Sequence, residues 1–250
     1  MFGKVIVAVV GSSNSGKTTA VEVLIKGLSE KGYKIGSAKH IPDPEFTIDT
    51  KGKDTWKHAR AGADTVLSVG QNELAVINRV DTTKFDLRQI VAEFSDETDI
   101  IILEGFKRLV GEDSSIPKLV TVNTVYDVKA AIDGYKNILA FIGLSPNNEM
   151  GIGIPFIDAV KEPENLVDLV NQKLEVLVER KRQREEKITI HVNEELLPLG
   201  DFVQDILRNT ILAMVSSLKG VNKVITKDLN TKIKITINTN NNGETQKTNN

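Results

Sequence analysis

A chain of 250 residues, of which 40% are hydrophobic and 26% charged, is typical of a soluble globular protein with one large domain or an ordinary domain and a smaller one. Lys and Arg number 32 against 34 Asp and Glu, and this net charge of −2 gives no reason to expect a nucleic-acid partner. The absence of cysteine excludes disulfides, thiolate catalysis and cysteine-ligated zinc or iron–sulfur sites.

The first predicted element is a strand over residues 5–10, an apolar and β-rich run. It has neither the basic n-region nor the small-residue cleavage site of an export signal. No apolar run in the chain approaches the roughly 18 to 20 residues that cross a bilayer. We therefore expect a cytoplasmic protein that makes no membrane contact.

A phosphate loop follows this strand. Residues 11–18 read Gly-Ser-Ser-Asn-Ser-Gly-Lys-Thr, which matches the pattern G-x-x-x-x-G-K-[ST] in full. Apolar residues then recur at helical spacing, so the loop lies between a strand and a helix, as the motif requires. Gly11 and Gly16 permit backbone angles that other residues avoid, and successive N–H groups can then turn toward a polyphosphate at a helix N-terminus.

Individual residues of the loop have expected roles. The backbone at Asn14 and Ser15 is expected to surround the phosphates together with the two glycines. Lys17 would contact the β and γ phosphates, and Thr18 would offer its hydroxyl to Mg²⁺. Thr19 would lie near the α phosphate. The sequence therefore predicts a site for a nucleoside triphosphate and Mg²⁺.

Strands and helices alternate along the rest of the first two thirds of the chain. The predicted elements are a strand at 34–40, a helix from 54 or 55 to 60, hairpin strands at 65–69 and 74–77, a helix at 87–94, strands at 99–103, 118–122 and 138–142, and a helix at 166–178. Strand 99–103 is an unbroken apolar run, as in a parallel sheet buried on both faces. Together with the loop, this predicts an α/β P-loop NTPase fold with a mainly parallel sheet flanked by helices.

The almost wholly charged segment 179–187 is interpreted as a linker rather than as a membrane or nucleic-acid contact. It separates a P-loop domain, residues 1–180, from a small C-terminal module, residues 187–238. The tail 239–250, rich in Asn, Thr and Gly, is predicted to be disordered.

Within the C-terminal module, apolar residues alternate at 188–192 and again at 233–237, as in strands. Between them lies an amphipathic helix that Asp201 could cap. This β-α-β unit buries too little surface to be robust alone, so we expect it to dock or to dimerise.

A carboxylate follows the predicted strand 99–103. Glu104 lies at the C-terminal edge, where open α/β sheets bind ligands, and Gly105 permits a close turn near the γ phosphate. Glu104 is predicted to hold Mg²⁺, directly or through water, and to organise the attacking water. Asp49, in a loop rich in Thr, Lys and Gly, is a second candidate for a metal or water contact, with loop capping as its alternative role.

Basic residues flank that loop. Lys39, His40, Lys53 and Arg60 are candidates for contacts with an anionic substrate, and the alternative for each is a solvated side chain.

Two further patterns are weaker. A transition-metal site made of His40, His58 and Asp49 is disfavoured, because three such residues are usually polar loop residues. Residues 78–81, Asn-Arg-Val-Asp, resemble the guanine-reading N-K-x-D pattern of GTPases, but they precede Glu104, whereas the base loop normally follows that strand.

Five blocks together strongly resemble the molybdopterin-guanine dinucleotide biosynthesis protein B (MobB) family, and the resemblance covers roughly residues 1–175. The blocks, in matching order and spacing, are 11–19, 39–40, 46–55, 58–63 and 103–107. The resemblance implies a GTP-binding P-loop protein, usually dimeric, with weak GTPase activity. It also implies an accessory role toward the nucleotidyltransferase that joins GMP to molybdopterin.

Transferred residue by residue, the resemblance assigns Gly16, Lys17 and Thr18 to phosphate and Mg²⁺, and makes Asp49 and Glu104 the acidic partners. The region after Lys187 lies outside the family pattern and leaves room for an added partner or substrate function.

Two other functions remain open from sequence. In a small-molecule kinase, the region 39–60 would bind a phosphoryl acceptor. A metal-delivery GTPase, like the urease and hydrogenase accessory proteins, is less favoured because their cysteine-containing metal motifs cannot exist in this chain.

Overall fold

The structure is a computed structural model that describes residues 4–143, 153–185, 190–192 and 195–217. The chain divides into two compact units, Met1–Gln183 and Arg184–Asn250.

The elements up to residue 185 alternate much as the sequence predicts. In chain order they are β1 Val5–Gly11, α1 Lys17–Glu30, β2 Ile35–Lys39, α2 Asp54–Arg60, β3 Thr65–Val69, β4 Leu74–Asn78, a 3-10 helix Thr82–Lys84, α3 Leu87–Ala92, β5 Ile100–Glu104, α4 Lys107–Val110, β6 Lys118–Thr121, α5 Val125–Gly134, β7 Ile138–Ile142, β8 Phe156–Ile157 and α6 Pro163–Glu185.

Six strands form one sheet in the order β2-β5-β1-β6-β7-β8, and every pair in it is parallel. Every residue of β1 and β5 is buried, which explains their unbroken apolar sequences. The prediction of a mainly parallel α/β sheet flanked by helices is confirmed. All six carboxyl ends lie at one edge, where the phosphate loop leaves β1.

Alternate residues of β1 enter two cores, one on each face of the sheet. One core combines Val5, Val7 and Val9 with apolar residues of α1 and α6. The other combines Ile6, Ala8 and Val10 with apolar residues of α3 and α5. Because a core packs on each face of the sheet, β1 and β5 are held in place, and the positions of the loops that follow them are fixed.

A second, two-stranded sheet consists of β3 and β4, paired antiparallel. Helix α2 packs against β3, and Val66 and Ala59 are buried. The predicted hairpin is present, and it lies outside the parallel sheet.

The segment predicted to be a linker is helical as far as Glu185, because α6 continues through it. Its Glu, Lys, Arg and Gln residues are good helix formers, which explains why the charge run does not end the helix. Helix α5 is absent from the sequence prediction, although Thr124 and Asp127 form a capping box at its start that could have indicated it.

In the second unit, β9 Ile190–Val192 and β10 Glu195–Leu197 pair antiparallel, and α7 Asp201–Ser216 follows. The helix is as predicted, except that Gly200 rather than Asp201 is its N-cap residue. Strand β10 is an addition to the prediction. The predicted strand at 233–237 and the tail 239–250 lie outside the described residues.

Candidate phosphate and metal site

The phosphate loop joins β1 to α1 at the carboxyl edge of the sheet. Gly16 precedes α1 in the left-handed conformation, with φ of 86°, and Asn14 within the loop also has a positive φ of 57°. Glycine adopts such angles without the strain that a side chain would add. No side chain caps α1, so the N–H groups of its first turn lie beside the loop without a side-chain acceptor. This is the arrangement in which helix N-termini bind phosphate.

The loop rests on Thr121, the last residue of β6 and the register partner of Gly11. The Thr121 hydroxyl donates to the carbonyl of Val10 at 3.1 Å and lies 2.5 Å from the Ser15 hydroxyl. A Cβ at Gly11 would lie 2.0 Å from the Thr121 hydroxyl oxygen, so only glycine fits there. Ser15 in turn donates to the carbonyl of Ser12 at 2.7 Å. The side chains of Ser15 and Thr121 therefore hold the phosphate loop against the end of β6.

Lys17 lies on the loop and donates to the carbonyl of Ser12. Burial lowers the pKa of Lys17, the nearby charges of Lys107 and Lys39 lower it further, and Glu104 opposes them. Three ammonium groups thus act electrostatically around one carboxylate. This excess of positive charge is suited to a polyphosphate.

Glu104, Thr18 and Lys39 meet at the ends of β5, α1 and β2. The Thr18 hydroxyl donates to Glu104 Oε1 at 3.0 Å, and Lys39 Nζ lies 2.9 Å from the same oxygen. Lys39 Nζ also donates to Thr18 Oγ1 at 3.3 Å. Glu104 is the register partner of Lys39 on one side and of Val9 on the other, so the sheet itself brings these side chains together.

Thr18 and Glu104 fit Mg²⁺ by chemistry and by spacing. Hydroxyl and carboxylate oxygens are the hard ligands that Mg²⁺ prefers, and two adjacent ligands of an octahedral Mg²⁺ are about 3 Å apart. The separation of Thr18 Oγ1 and Glu104 Oε1 is 3.0 Å. The two oxygens therefore fit a single Mg²⁺ ion, and the metal role of Thr18 and Glu104 stays a prediction.

The turn after β5 holds unusual backbone angles. Gly105 has φ of 88° and Phe106 has φ of 53°, which is rare for a bulky residue and common near functional sites. The centre of the Phe106 ring lies 5.5 Å from the centre of the His40 ring. The backbone N–H of His40 donates to the backbone carbonyl of Glu104 at 2.9 Å. His40 thus lies beside the site through this turn. Lys107 follows directly; it belongs to the block 103–107, yet sequence reasoning gave it no role.

The other predicted residues make local contacts. Asp49 accepts hydrogen bonds at 2.8 Å from the Thr50 N–H and the Thr55 hydroxyl, which corresponds to the loop-capping alternative. Lys53 is the N-cap residue of α2, and Arg60 lies 5.7 Å from the centre of the Trp56 ring.

The metal role of Asp49, the anion contacts of Lys53 and Arg60, and the role of Thr19 therefore stay predictions. Within the described ranges, no group of three His, Cys, Asp or Glu residues is placed to hold a metal ion.

Residues 78–81 have structural partners. Asn78 Oδ1 accepts from the Thr65 hydroxyl at 2.8 Å across the hairpin, and Asp81 caps the 3-10 helix by accepting from the Thr83 N–H at 3.0 Å. These contacts agree with the sequence argument against a guanine-reading role. No helix in the described part of the chain is long and apolar enough to cross a membrane.

Comparisons with known proteins agree with this geometry. A family model described as Molybdopterin guanine dinucleotide synthesis protein B, MobB, matches residues 6–143. A relative from Methanocaldococcus jannaschii is 29% identical over 239 residues, which is 86% of this chain and 92% of the relative. The Haemophilus influenzae molybdopterin-guanine dinucleotide biosynthesis adapter protein is 30% identical over 116 residues, 46% of this chain and 61% of its own length.

The fold also matches a solved structure. Bacillus subtilis MobB is 29% identical, with a TM-score of 0.51 over 67% of this chain and 96% of that chain. The family match includes the phosphate loop, Lys39 and Glu104, and it covers more than half of the sequence. The chain therefore belongs to the MobB family, as the five sequence blocks indicate.

Proposed function

We propose that the chain is a cytoplasmic, GTP-binding P-loop adapter protein in molybdopterin guanine dinucleotide biosynthesis. The observation that carries the proposal is the convergence of the phosphate loop, three lysines and the Thr18–Glu104 oxygen pair at one edge of the sheet. Backbone N–H groups and the Lys17 ammonium would bind the phosphates, and the Thr18–Glu104 oxygen pair would hold Mg²⁺.

The adapter role is supported by the family and by the names of relatives. The Haemophilus influenzae protein is named as an adapter in this biosynthesis. We infer that the partner is the nucleotidyltransferase that joins GMP to molybdopterin, the role that the family resemblance implies. GTP hydrolysis is expected to be slow, since unassisted P-loop GTPases run at about 10⁻⁴ to 10⁻² s⁻¹.

The protein is also proposed to be a homodimer, and the β3–β4 hairpin supports this. One face of the hairpin presents four exposed aliphatic side chains, in two directly opposite pairs: Leu67 with Val76, and Val69 with Leu74. A two-stranded hairpin is only marginally stable alone, and an exposed apolar patch of this kind favours a protein contact. A second copy offers the same patch, as a twofold interface requires.

Calorimetry with GTP and with ATP, both in Mg²⁺, tests the nucleotide assignment. We expect GTP to bind the more tightly, and Lys17→Ala to lower its affinity at least about tenfold, because charge-assisted bonds to phosphate contribute about 1.5 to 3 kcal/mol. Lys26→Ala, an exposed site on the same helix, is the matched control. Tighter binding of ATP, or unchanged GTP binding by folded Lys17→Ala protein, would contradict the assignment.

A further inference from the structure

Lys39 contacts both of the oxygen atoms that fit Mg²⁺. Its ammonium lies 2.9 Å from Glu104 Oε1 and 3.3 Å from Thr18 Oγ1, and those two oxygens are 3.0 Å apart. The three atoms form a closed triangle. A divalent ion bonded to both oxygens would repel an ammonium held against the same pair.

We propose that Lys39 is a built-in cation that competes with Mg²⁺ for Thr18 and Glu104, and that binding of Mg²⁺–nucleotide displaces it. This inference rests on the proposed function, because it assumes that Mg²⁺–GTP is the ligand. It gives Lys39 a role toward the metal rather than toward the phosphates. Lys39 is thus a positioning residue that holds the ligand pair in place until the metal arrives.

Burial of Glu104 explains why such a cation is needed. The Glu104 side chain is only 9% exposed, and a carboxylate at that depth is costly unless a cation neutralises it. Lys39 supplies that charge and orients Oε1 toward Thr18. The carboxylate is thereby held in the position from which it can ligate a metal.

Lys39 is also placed so that it can leave. Its side chain is 53% exposed, whereas Glu104 is held inside the sheet between β1 and β2. Lys39 ends the edge strand β2 and has a flexible four-carbon side chain, so its ammonium can move into solvent without breaking a strand pair. Displacement of the Lys39 side chain therefore leaves the sheet intact.

If Lys39 competes with Mg²⁺, the effect of Lys39→Met on GTP affinity depends on whether Mg²⁺ is present. If Lys39 contacts the phosphates directly, the effect is the same with and without Mg²⁺. Without metal, Lys39 shields the phosphates of GTP from the Glu104 charge, and Lys39→Met removes this shield. With saturating Mg²⁺ the ion neutralises Glu104, so Lys39→Met retains its affinity. A phosphate ligand would instead be lost under both conditions.

The experiment is calorimetric titration of GTP in EDTA and in saturating Mg²⁺, using the full chain. For Lys39→Met we expect the ratio of Kd in EDTA to Kd in Mg²⁺ to rise about two- to fivefold over the parent, the size expected for a half-exposed ion pair. Lys34→Met is the matched control, because Lys34 lies just before the same strand and pairs with exposed Glu97 at 2.6 Å. Its ratio should equal that of the parent. In a Glu104→Gln background, Lys39→Met should no longer change the ratio.

Equal losses of affinity under both conditions would overturn the proposal and make Lys39 a phosphate ligand. An unchanged ratio in Lys39→Met would overturn it as well. Failure of the parental protein to bind GTP in either condition would overturn the proposed function itself, and this inference with it.

Discussion

Glu104 is the nearly buried last residue of β5, and its carboxylate accepts from the Thr18 hydroxyl and pairs with the Lys39 ammonium. In the proposed GTPase reaction, a group in this position would organise a metal and the water that attacks the γ phosphate.

We expect Glu104→Gln to slow GTP hydrolysis more than it weakens GTP binding, because the amide keeps the shape of the side chain while removing its charge. Single-turnover hydrolysis and calorimetry on the same preparation measure the two effects separately. Glu112→Gln makes the same charge change two residues after α4, at a side chain outside the Thr18–Glu104–Lys39 contacts, and should keep the parental rate. Parental hydrolysis by Glu104→Gln would exclude the role assigned to Glu104.

The positions of Lys17, Thr18 and Glu104 at the carboxyl edge of the sheet are predictable from the sequence, because each belongs to a local pattern beside a predicted strand. Thr121 is not, since its contact with Ser15 depends on β6 being the neighbour of β1. The Lys39–Glu104 pair likewise arises from strand order, which no single segment encodes. The contacts that the sequence could not predict are those that depend on which strands are neighbours in the sheet.

At the scale of the elements, the β3–β4 hairpin of the first unit has an open apolar face. Its sequence predicts a hairpin but not which face is covered, because both faces carry aliphatic residues. The packing of α2 against β3 determines which face of the hairpin is covered.

A double variant tests the hairpin as a dimer contact. Leu67→Lys with Val76→Glu places opposite charges at directly paired positions, so the hairpin keeps a favourable cross-strand pair while its open face becomes charged. We expect the dimer dissociation constant to rise at least about tenfold, since apolar burial contributes about 25 cal/mol per Å². Sedimentation at several concentrations gives this constant.

Tyr126→Glu, at an exposed position on α5, is the control and should leave the oligomeric state unchanged. A parental protein that is monomeric at all concentrations, or a double variant that dimerises normally, would rule out this contact.

At the scale of the whole molecule, every candidate phosphate-site residue lies in the first unit, Met1–Gln183. The relative from Methanocaldococcus jannaschii aligns with 86% of the chain, which is more than that unit contains. The alignment with this relative therefore includes part of the second unit. The second unit contributes none of the contacts described for the phosphate loop, Thr18 or Glu104.

A chain that ends at Gln183 should keep its GTP affinity within a few fold, because α6 retains the residues that complete the core, including Leu166 and Leu174. A chain that ends before Pro163 is the contrasting control, and we expect it to lose the folded state, because it removes those buried side chains. Circular dichroism and calorimetry distinguish the two. A folded Gln183 truncation that does not bind GTP would place the second unit in the nucleotide site.

The chain contains one tryptophan, Trp56, and it lies on α2 with the Arg60 guanidinium 5.7 Å from its ring centre. Helix α2 begins directly after the loop 40–53, which starts next to Lys39. Indole emission responds to a nearby cation and to solvent, so the unlabelled protein carries its own optical reporter at the end of this loop. Rearrangement of the loop on nucleotide binding would therefore be visible as a change in fluorescence on the timescale of mixing.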